Sequence, residues 1–371
     1  MPGQLSVRRL PLTDPLVWDA WRRLQADGGV PSAFLTWQWC SGVLGEPRTA
    51  AGTTVWLVDR RGAVAGLFPV ERAIVGGFHT LGPAGWRWLA ADHLDVVAAP
   101  THRAAVAQAI AADLLSCRGV DVIDLDGLAA DGALAGALAG SHLRNARHRA
   151  ARLPAEPIST PYLSLRQTPV LQSASLRSQV GRGLRAAERA GGGFEVVSDP
   201  DGVVRLLDEM MRLHVLRLGA ASAVFATDAR RQAHRVAAAQ LAADGLARVY
   251  RLHAAGLELA LLYALRHGPT LSYYSAGMRA DASLSPGRTL LGLVALSAAE
   301  EGLLELDLLR GEHAYKARFA TGTRDDVRVR LLKATPRVFG AVLGRVADAS
   351  ARQLLSRRTR PGGGRSGGRL D

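Results

Sequence analysis

The segment DLLRGEHAYKARF (residues 307–319) places an acid, an arginine, a glycine, a glutamate, a histidine, a tyrosine and a lysine within ten positions. Tyrosine can give a proton to a leaving group, and His, Asp or Glu can take one from a nucleophile. Lysine is a compact cation suited to phosphate or carboxylate. Lys316 is one of two lysines, with Lys333, among 46 Lys and Arg residues. Asp307 closes an apolar run that reads as a strand, and open α/β sheets bind ligands beyond the C-terminal ends of their strands. Arg310, Glu312, His313, Tyr315 and Lys316 then fall on the following turn. Two readings stay open at this point: a reactive site, or a solvated turn with local ion pairs.

A second stretch, SLSPGRTLL (residues 283–291), follows the strand-like TLSYYSAGM. Ser285 suits an N-cap, Pro286 the first helical position, and Gly287 a close approach of a ligand to the backbone. Free N–H groups at a helix start attract phosphate, and Arg288 adds a charged donor. An ordinary well-capped helix would look the same. Strand alternation sends Tyr273 and Tyr274 to opposite faces, so at most one of them can line a given cleft. His142, His148 and His313 lack metal-ligand spacing, so no metal site is expected. No GxSxG, Walker or dinucleotide motif occurs. The WQW and WRW clusters (37–39, 86–88) could stack on a sugar or anchor a core.

These segments need a scaffold. Apolar periodicity predicts helices at 14–26, 33–44 and 102–116, and strands at 53–59, 63–74, 92–99 and through VDVIDLDGL. A linker with Pro154, Pro157 and Pro161 leads to a basic helix at 170–190, with Arg182, Arg185 and Arg189 on one face. After it come a strand (FEVVSD), helices at 200–217 and 227–244, three strands, a helix at 286–301, strands LLELDLL and VRVRLLK, and a last helix at 336–356. All seven Trp lie within residues 18–88 and five of six Tyr within 250–315, which suits two modules. Residues 93–127 and 271–311 echo each other as strand, loop, helix and strand, pairing Gly119 with Gly302 and Asp124 with Asp307. The first copy carries no Tyr or Lys where the second has its polar turn.

The net charge of +13 is uneven: residues 351–371 contribute +5 and residues 141–190 contribute +7. The near-balanced remainder argues against a nucleic-acid-binding body. Two cysteines, Cys40 and Cys117, rule out a disulfide framework and suit a reducing compartment. The N-terminus has no signal-peptide pattern, and no apolar run approaches the roughly 20 residues of a membrane span. A cytoplasmic location is expected.

The order of these motifs resembles the second half of the CelD/BcsL-like acetyltransferases, members of the GNAT superfamily related to the FemAB-type transferases. The resemblance rests on Ser285-Pro286-Gly287 and on Asp307, Arg310, Gly311, Tyr315, Lys316 and Phe319, with the basic helix at 170–190. It covers about 160–335 firmly and 1–140 loosely, and the GNAT loop pattern Q/R-x-x-G-x-G/A is absent. It implies an α/β mixed-sheet fold of two tandem GNAT-like domains, the degenerate one at 1–150 and the acyltransferase domain at 151–335. A C-terminal helix (336–356) and a disordered basic Gly/Arg tail (357–371) would follow. The implied activity is transfer of an acetyl or acyl group from acyl-CoA to an amine or hydroxyl of a sugar or polysaccharide precursor. Ser285, Pro286, Gly287 and Arg288 would bind the donor. Asp307 would orient or deprotonate the acceptor, Tyr315 would protonate the thiolate, and Arg310 and Lys316 would hold an anionic group. Tyr274, His313 and Arg182 are the candidate substrate contacts. The alternatives are a FemAB-like aminoacyl-tRNA-dependent transferase and a non-catalytic scaffold acting through the basic tail.

Overall fold

The computed structural model describes residues 5–139, 150–219, 222–279, 285–311 and 313–341. His142, His148, Glu312, the tail 357–371 and the expected final helix beyond residue 341 lie outside the described residues. The first half runs β1 (Leu5–Pro11), α1 (Pro15–Ala26), α2 (Trp37–Val43), α3 (Pro47–Gly52), β2 (Thr53–Arg60), β3 (Ala63–Val75), β4 (Phe78–Pro83), β5 (Val97–Ala98), α4 (Arg103–Ser116), β6 (Val122–Ala129) and α5 (Ala133–Ala139). Strands β7 (Ala150–Arg152) and β8 (Glu156–Ser164) follow. The second half runs α6 (Ala174–Arg189), β9 (Gly193–Val197), α7 (Pro200–Leu218), α8 (Asp228–Ala243), β10 (Ala247–Ala254), β11 (Leu257–His267), β12 (Thr270–Met278), α9 (Pro286–Glu300), β13 (Glu305–Asp307), α10 (Ala314–Ala317) and β14 (Gly322–Lys333).

One mixed sheet carries all of these strands, its main path running β1-β2-β3-β4-β6-β14-β8-β13-β12-β11-β10-β9, with β5 paired to β3 and β7 to β14 off that path. Its two ends repeat. Strands β2, β3 and β4 are antiparallel and β4 is parallel to β6, just as β10, β11 and β12 are antiparallel and β12 is parallel to β13. In each parallel pair a right-handed connection through one helix, α4 or α9, is the expected solution. The register places Leu81 opposite Ile123 and Leu271 opposite Leu306, so Asp124 and Asp307 occupy equivalent positions. Gly119 and Gly302, where each helix turns into its strand, both have positive φ (68° and 77°).

The last strands are exchanged. β8 follows β6 in the chain but pairs with β13 of the second half, while β14 follows β13 but pairs with β6 of the first. β8 and β14 then pair with each other at the centre. The Pro-containing segment expected to be a linker is therefore a strand. Tyr162 turns its carbonyl toward β14, whereas Pro161 turns its carbonyl toward Leu308 (3.0 Å). Pro157 and Pro161 share that second side, so neither is asked for a donor on the β14 side.

The segment 92–99 is also not a strand of the predicted kind. Only Val97–Ala98 of it forms a strand, β5, paired with β3; the strand that pairs parallel with β6 across α4 is β4, whose sequence FHTLGP is too short and too glycine- and proline-rich to stand out by alternation. Helix α2 begins at Trp37, after a 3-10 turn at Ala33–Leu35. One core unites the first half with α7 and α8, and a second lies under α6 and α9. The halves touch closely where α2 meets α8: a Cβ on Gly42 would come within 2.4 Å of the Ala237 nitrogen. Helices α6 and α9 cross antiparallel, with Gly183 against Thr289 and Gly292 against Val180.

Candidate active site

Strands β12 and β13 pair over three residues only, ending at Ser272 opposite Asp307. β12 continues to Met278, while the chain after β13 turns away at Leu309, a non-glycine residue with φ of 56°. A cavity of about 410 Å3 opens beside this parting, lined by Arg217, Tyr273, Met278, Ser285, Pro286, Gly287, Arg288, Ala314, Tyr315 and Arg318. It joins the start of α9 to the turn that carries Tyr315. Pro286 takes the first helical position as expected. Ser285 does not cap with its side chain: it adopts a left-handed conformation (φ 48°) and its hydroxyl accepts from Arg288 Nη2 at 2.8 Å. Its carbonyl accepts the Arg288 and Thr289 N–H groups. The Gly287 N–H has no backbone partner among the described residues.

The Tyr315 hydroxyl donates to the Tyr273 hydroxyl at 3.3 Å, and His313 stacks on the Tyr315 ring. Burial raises the pKa of both tyrosines, keeping them protonated near neutral pH. Farther along β12, the Ala276 carbonyl accepts from His214 Nδ1 at 3.0 Å and so points away from β11.

Lys316 lines a different cavity. This one, of about 570 Å3, lies across α10 and includes Ser159, Pro161, Gly311, His313, Lys316, Thr321 and Thr323. The Lys316 ammonium is buried and donates to the Arg310 carbonyl (2.7 Å) and the Leu309 carbonyl (3.3 Å). Burial lowers its pKa to about 8, against the pull of Asp92 and Asp307. The rare lysine thus ties the turn to its own helix.

Asp307 and Arg310 face neither cavity. Asp307 is 1% exposed; its Oδ2 meets His93 Nε2 at 2.7 Å and its Oδ1 accepts the Leu309 N–H at 2.9 Å. Arg310 donates through Nε to Asp92, through Nη1 to Asp126 (3.0 Å) and through Nη2 to the Ala91 carbonyl (2.8 Å). Its guanidinium is engaged by the first half of the chain rather than left to hold an anion. Tyr274, expected to contact substrate, instead packs against Phe34, Trp39 and Tyr263, and its hydroxyl faces His234 Nε2 at 2.9 Å. Burial lowers the His234 pKa to about 4, so the ring is neutral. A bulge in the β11–β12 register at Tyr273–Ser275 makes this placement possible. Arg182 sits on the exposed face of α6, bonded to Ser178, and lines neither cavity. Trp39 and Trp88 are core residues.

Residues 91–94 are the part that sequence reasoning missed. Leu94 forms a parallel bridge with Leu128 on β6, and the Asp92 and His93 side chains reach the loop after β13. The His93 Nδ1 meets Asp326 Oδ1 at 2.9 Å, and its backbone N–H donates to Asp326 Oδ2 at 2.7 Å. Burial opposes a charge on this ring, but the hydrogen bonds and charges of Asp307 and Asp326 outweigh it and raise the pKa to about 10. Both ring nitrogens are thereby committed as donors, with no lone pair left for a metal. The signal available in the sequence was DHLD itself, two acids around a histidine in an apolar context.

Residues 174–317 match the family model of an acetyltransferase (GNAT) domain. Among curated proteins none matches the chain. The structure of FemX superposes with a TM-score of 0.55 at 12% identity, covering 87% of this chain and 96% of FemX. L-PGS from Bacillus licheniformis gives 0.52 at 14% identity, covering 94% and 98%. A conserved protein of unknown function from Bacteroides thetaiotaomicron gives 0.54 at 11% identity, covering 88% and 100%. Identities this low establish the fold alone. The chain is therefore a mixed α/β protein that shares its two-part fold with FemX and whose second half matches an acetyltransferase (GNAT) domain.

Proposed function

We propose that the protein is an acyl-CoA-dependent acyltransferase of the CelD/BcsL-like kind, acting on an amine or hydroxyl of a sugar or polysaccharide precursor. The observation that carries this reading is the shared cavity, in which the start of α9, three arginines and a tyrosine pair surround the parting of two parallel strands. Arg217, Arg288 and Arg318 would bind the phosphates of CoA, beside the Gly287 N–H and the positive end of α9. The pantetheine arm would follow the parting toward Tyr273. The Ala276 N–H lies on the same side of β12 as its carbonyl and is our candidate donor to the thioester oxygen.

The acceptor would enter through the cavity across α10, among the hydroxyls of Ser159, Thr321 and Thr323 and beside Lys316 and His313. Its nucleophile attacks the thioester carbonyl; the C–N or C–O bond forms as the C–S bond breaks, and the proton lost by the amine or hydroxyl passes to solvent water in this open cavity. Tyr273, with Tyr315 donating to it, would pass a proton to the departing thiolate. With both its oxygens occupied, Asp307 acts in this scheme as an anchor of the loop rather than as the base.

Acetyl-CoA should raise the melting temperature of the protein, and a paired Arg288→Ala, Arg318→Ala variant should lose most of that rise. An unchanged melting temperature with acetyl-CoA and with longer acyl-CoAs would remove this reading. The aminoacyl-tRNA-dependent alternative is favoured by one feature: the exposed face of α6, with Arg182, Arg185 and Arg189, runs toward the start of α9. It predicts tight, steeply salt-dependent tRNA binding, which the acyl-CoA reading does not.

A further inference from the structure

We infer that His93, contributed by the first half of the chain, is a positioning residue for the transfer site in the second half. The inference rests on the reading above for what the site does, and on geometry for how His93 acts. His93 has a left-handed backbone (φ 56°), which turns its ring out of the segment that runs beside β6. The Leu94 N–H donates to the Gly127 carbonyl (2.8 Å) and the Ala129 N–H to the Leu94 carbonyl (3.0 Å), so the base of the ring is fixed to the sheet. From there a short series of contacts leads to the cavity. His93 holds Asp307 at the end of β13. Asp307 accepts the Leu309 N–H and so sets the left-handed turn. The carbonyls of Leu309 and Arg310 hold the Lys316 ammonium. Lys316 belongs to the same single-turn helix as Tyr315, whose hydroxyl reaches Tyr273 in the cavity.

The second carboxylate makes the hold directional. Asp326 on β14 takes both the backbone N–H and the Nδ1–H of His93. The ring is thus clamped between β13 and β14, the two sides of the loop it positions. The charged groups around it are Asp307, Asp326 and Asp92, with Arg310, Lys316 and Arg324 as the nearby cations. Only a doubly protonated ring can donate to both carboxylates. A neutral ring must turn a lone pair toward one of them, which loosens one side of the clamp.

The test compares the intact wild-type chain with His93→Ala. Amide exchange followed by mass spectrometry should quicken at least about tenfold in residues 308–319 and stay unchanged in β10 and β11. Release of CoA thiol from acetyl-CoA should fall at least about tenfold in rate at saturation, while the KM for acetyl-CoA stays within about twofold. If His93→Ala does not fold, His93→Gln, which keeps bulk and an N–H donor, carries the same comparison. Unchanged exchange in 308–319, or a uniform rise over the whole chain, would overturn the positioning role. Failure of acetyl-CoA to bind the wild type would instead strike the acyltransferase reading, while the exchange measurement would still decide whether His93 holds the loop.

Discussion

The two halves of the molecule build the same strand–helix–strand unit and put it to opposite use. In the second half, β12 and β13 part after three paired residues and a cavity fills the gap. In the first half, the corresponding gap beside β6 is closed. Residues 84–102, a longer connection than 279–285, fold back so that Leu94 bridges Leu128 and Trp86 covers β4 against Gly82. The start of α4 is closed as well, with Arg103 donating to the Gly29 and Ala98 carbonyls. The difference teaches that the unit itself does not make a site. The connection between strand and helix decides whether the parting is left open or becomes a brace. Here the brace reaches across, because its Asp92 and His93 grip the loop of the open copy.

That comparison is broken most severely at Arg310. It is the guanidinium through which the brace holds the loop, and Asp92 is fully buried behind it. Arg310→Ala leaves Asp92 and Asp126 without their partner and should cost about 3–5 kcal/mol in denaturant unfolding. A loss below about 1 kcal/mol would mean that the brace does not contribute to holding the halves together.

The next largest effect is in pH. His93 binds its proton more tightly in the folded chain than in the unfolded one, with a pKa raised from 6.5 to about 10. Its contribution is therefore whole below about pH 6.5 and is lost as pH rises through about 10. Each tenfold gain in proton affinity on folding is worth about 1.4 kcal/mol, and a loss of about 2–4 kcal/mol across that window is expected. In a His93→Gln variant the same titration should be flat over this range apart from the contributions of other groups. A parallel fall in both proteins would take His93 out of the account.

Much of this scaffold could be read from the sequence: α1 and α7 have one buried face each, and β10 and β11, buried on both faces between the two cores, stand out as apolar runs. The echo between 93–127 and 271–311 pointed to equivalent residues, and the strand registers align Asp124 with Asp307 in the same way. What stayed hidden depended on contacts between distant segments. β4 is short, and β8 looked like a linker because its prolines are harmless only beside a particular neighbour. The shared cavity of Gly287, Arg288 and Tyr315 followed from motif order. The engagement of Asp307 and Arg310 did not, since their partners His93, Asp92 and Asp126 come from the other half. Tyr274 was misjudged for a local reason: alternation gave it a face, but a bulge and a nearby neutral His234 gave it an aromatic pocket.

The smallest effect sharpens the comparison with one methyl group in each half. Gly127 on β6 has φ of 75°, and an added Cβ would lie 2.4 Å from Arg310 Nη2 and 2.5 Å from the Ala91 carbonyl. Backbone conformation and clamp both resist it, so Gly127→Ala should destabilise by about 2 kcal/mol. Gly287, at the start of α9, has no such backbone demand. Among the described residues its Cβ would meet only the end of the Met278 side chain, at 2.6 Å from the sulfur and 2.7 Å from Cε. A thioether end can swing aside, and the open cavity beside it gives it room. Gly287→Ala should therefore change stability by less than about 0.5 kcal/mol, while the displaced Met278 narrows the cavity and weakens the melting-temperature rise produced by acetyl-CoA. If the two alanines cost the same in stability and neither alters that rise, the closed and open copies are not distinguished by what fills their partings.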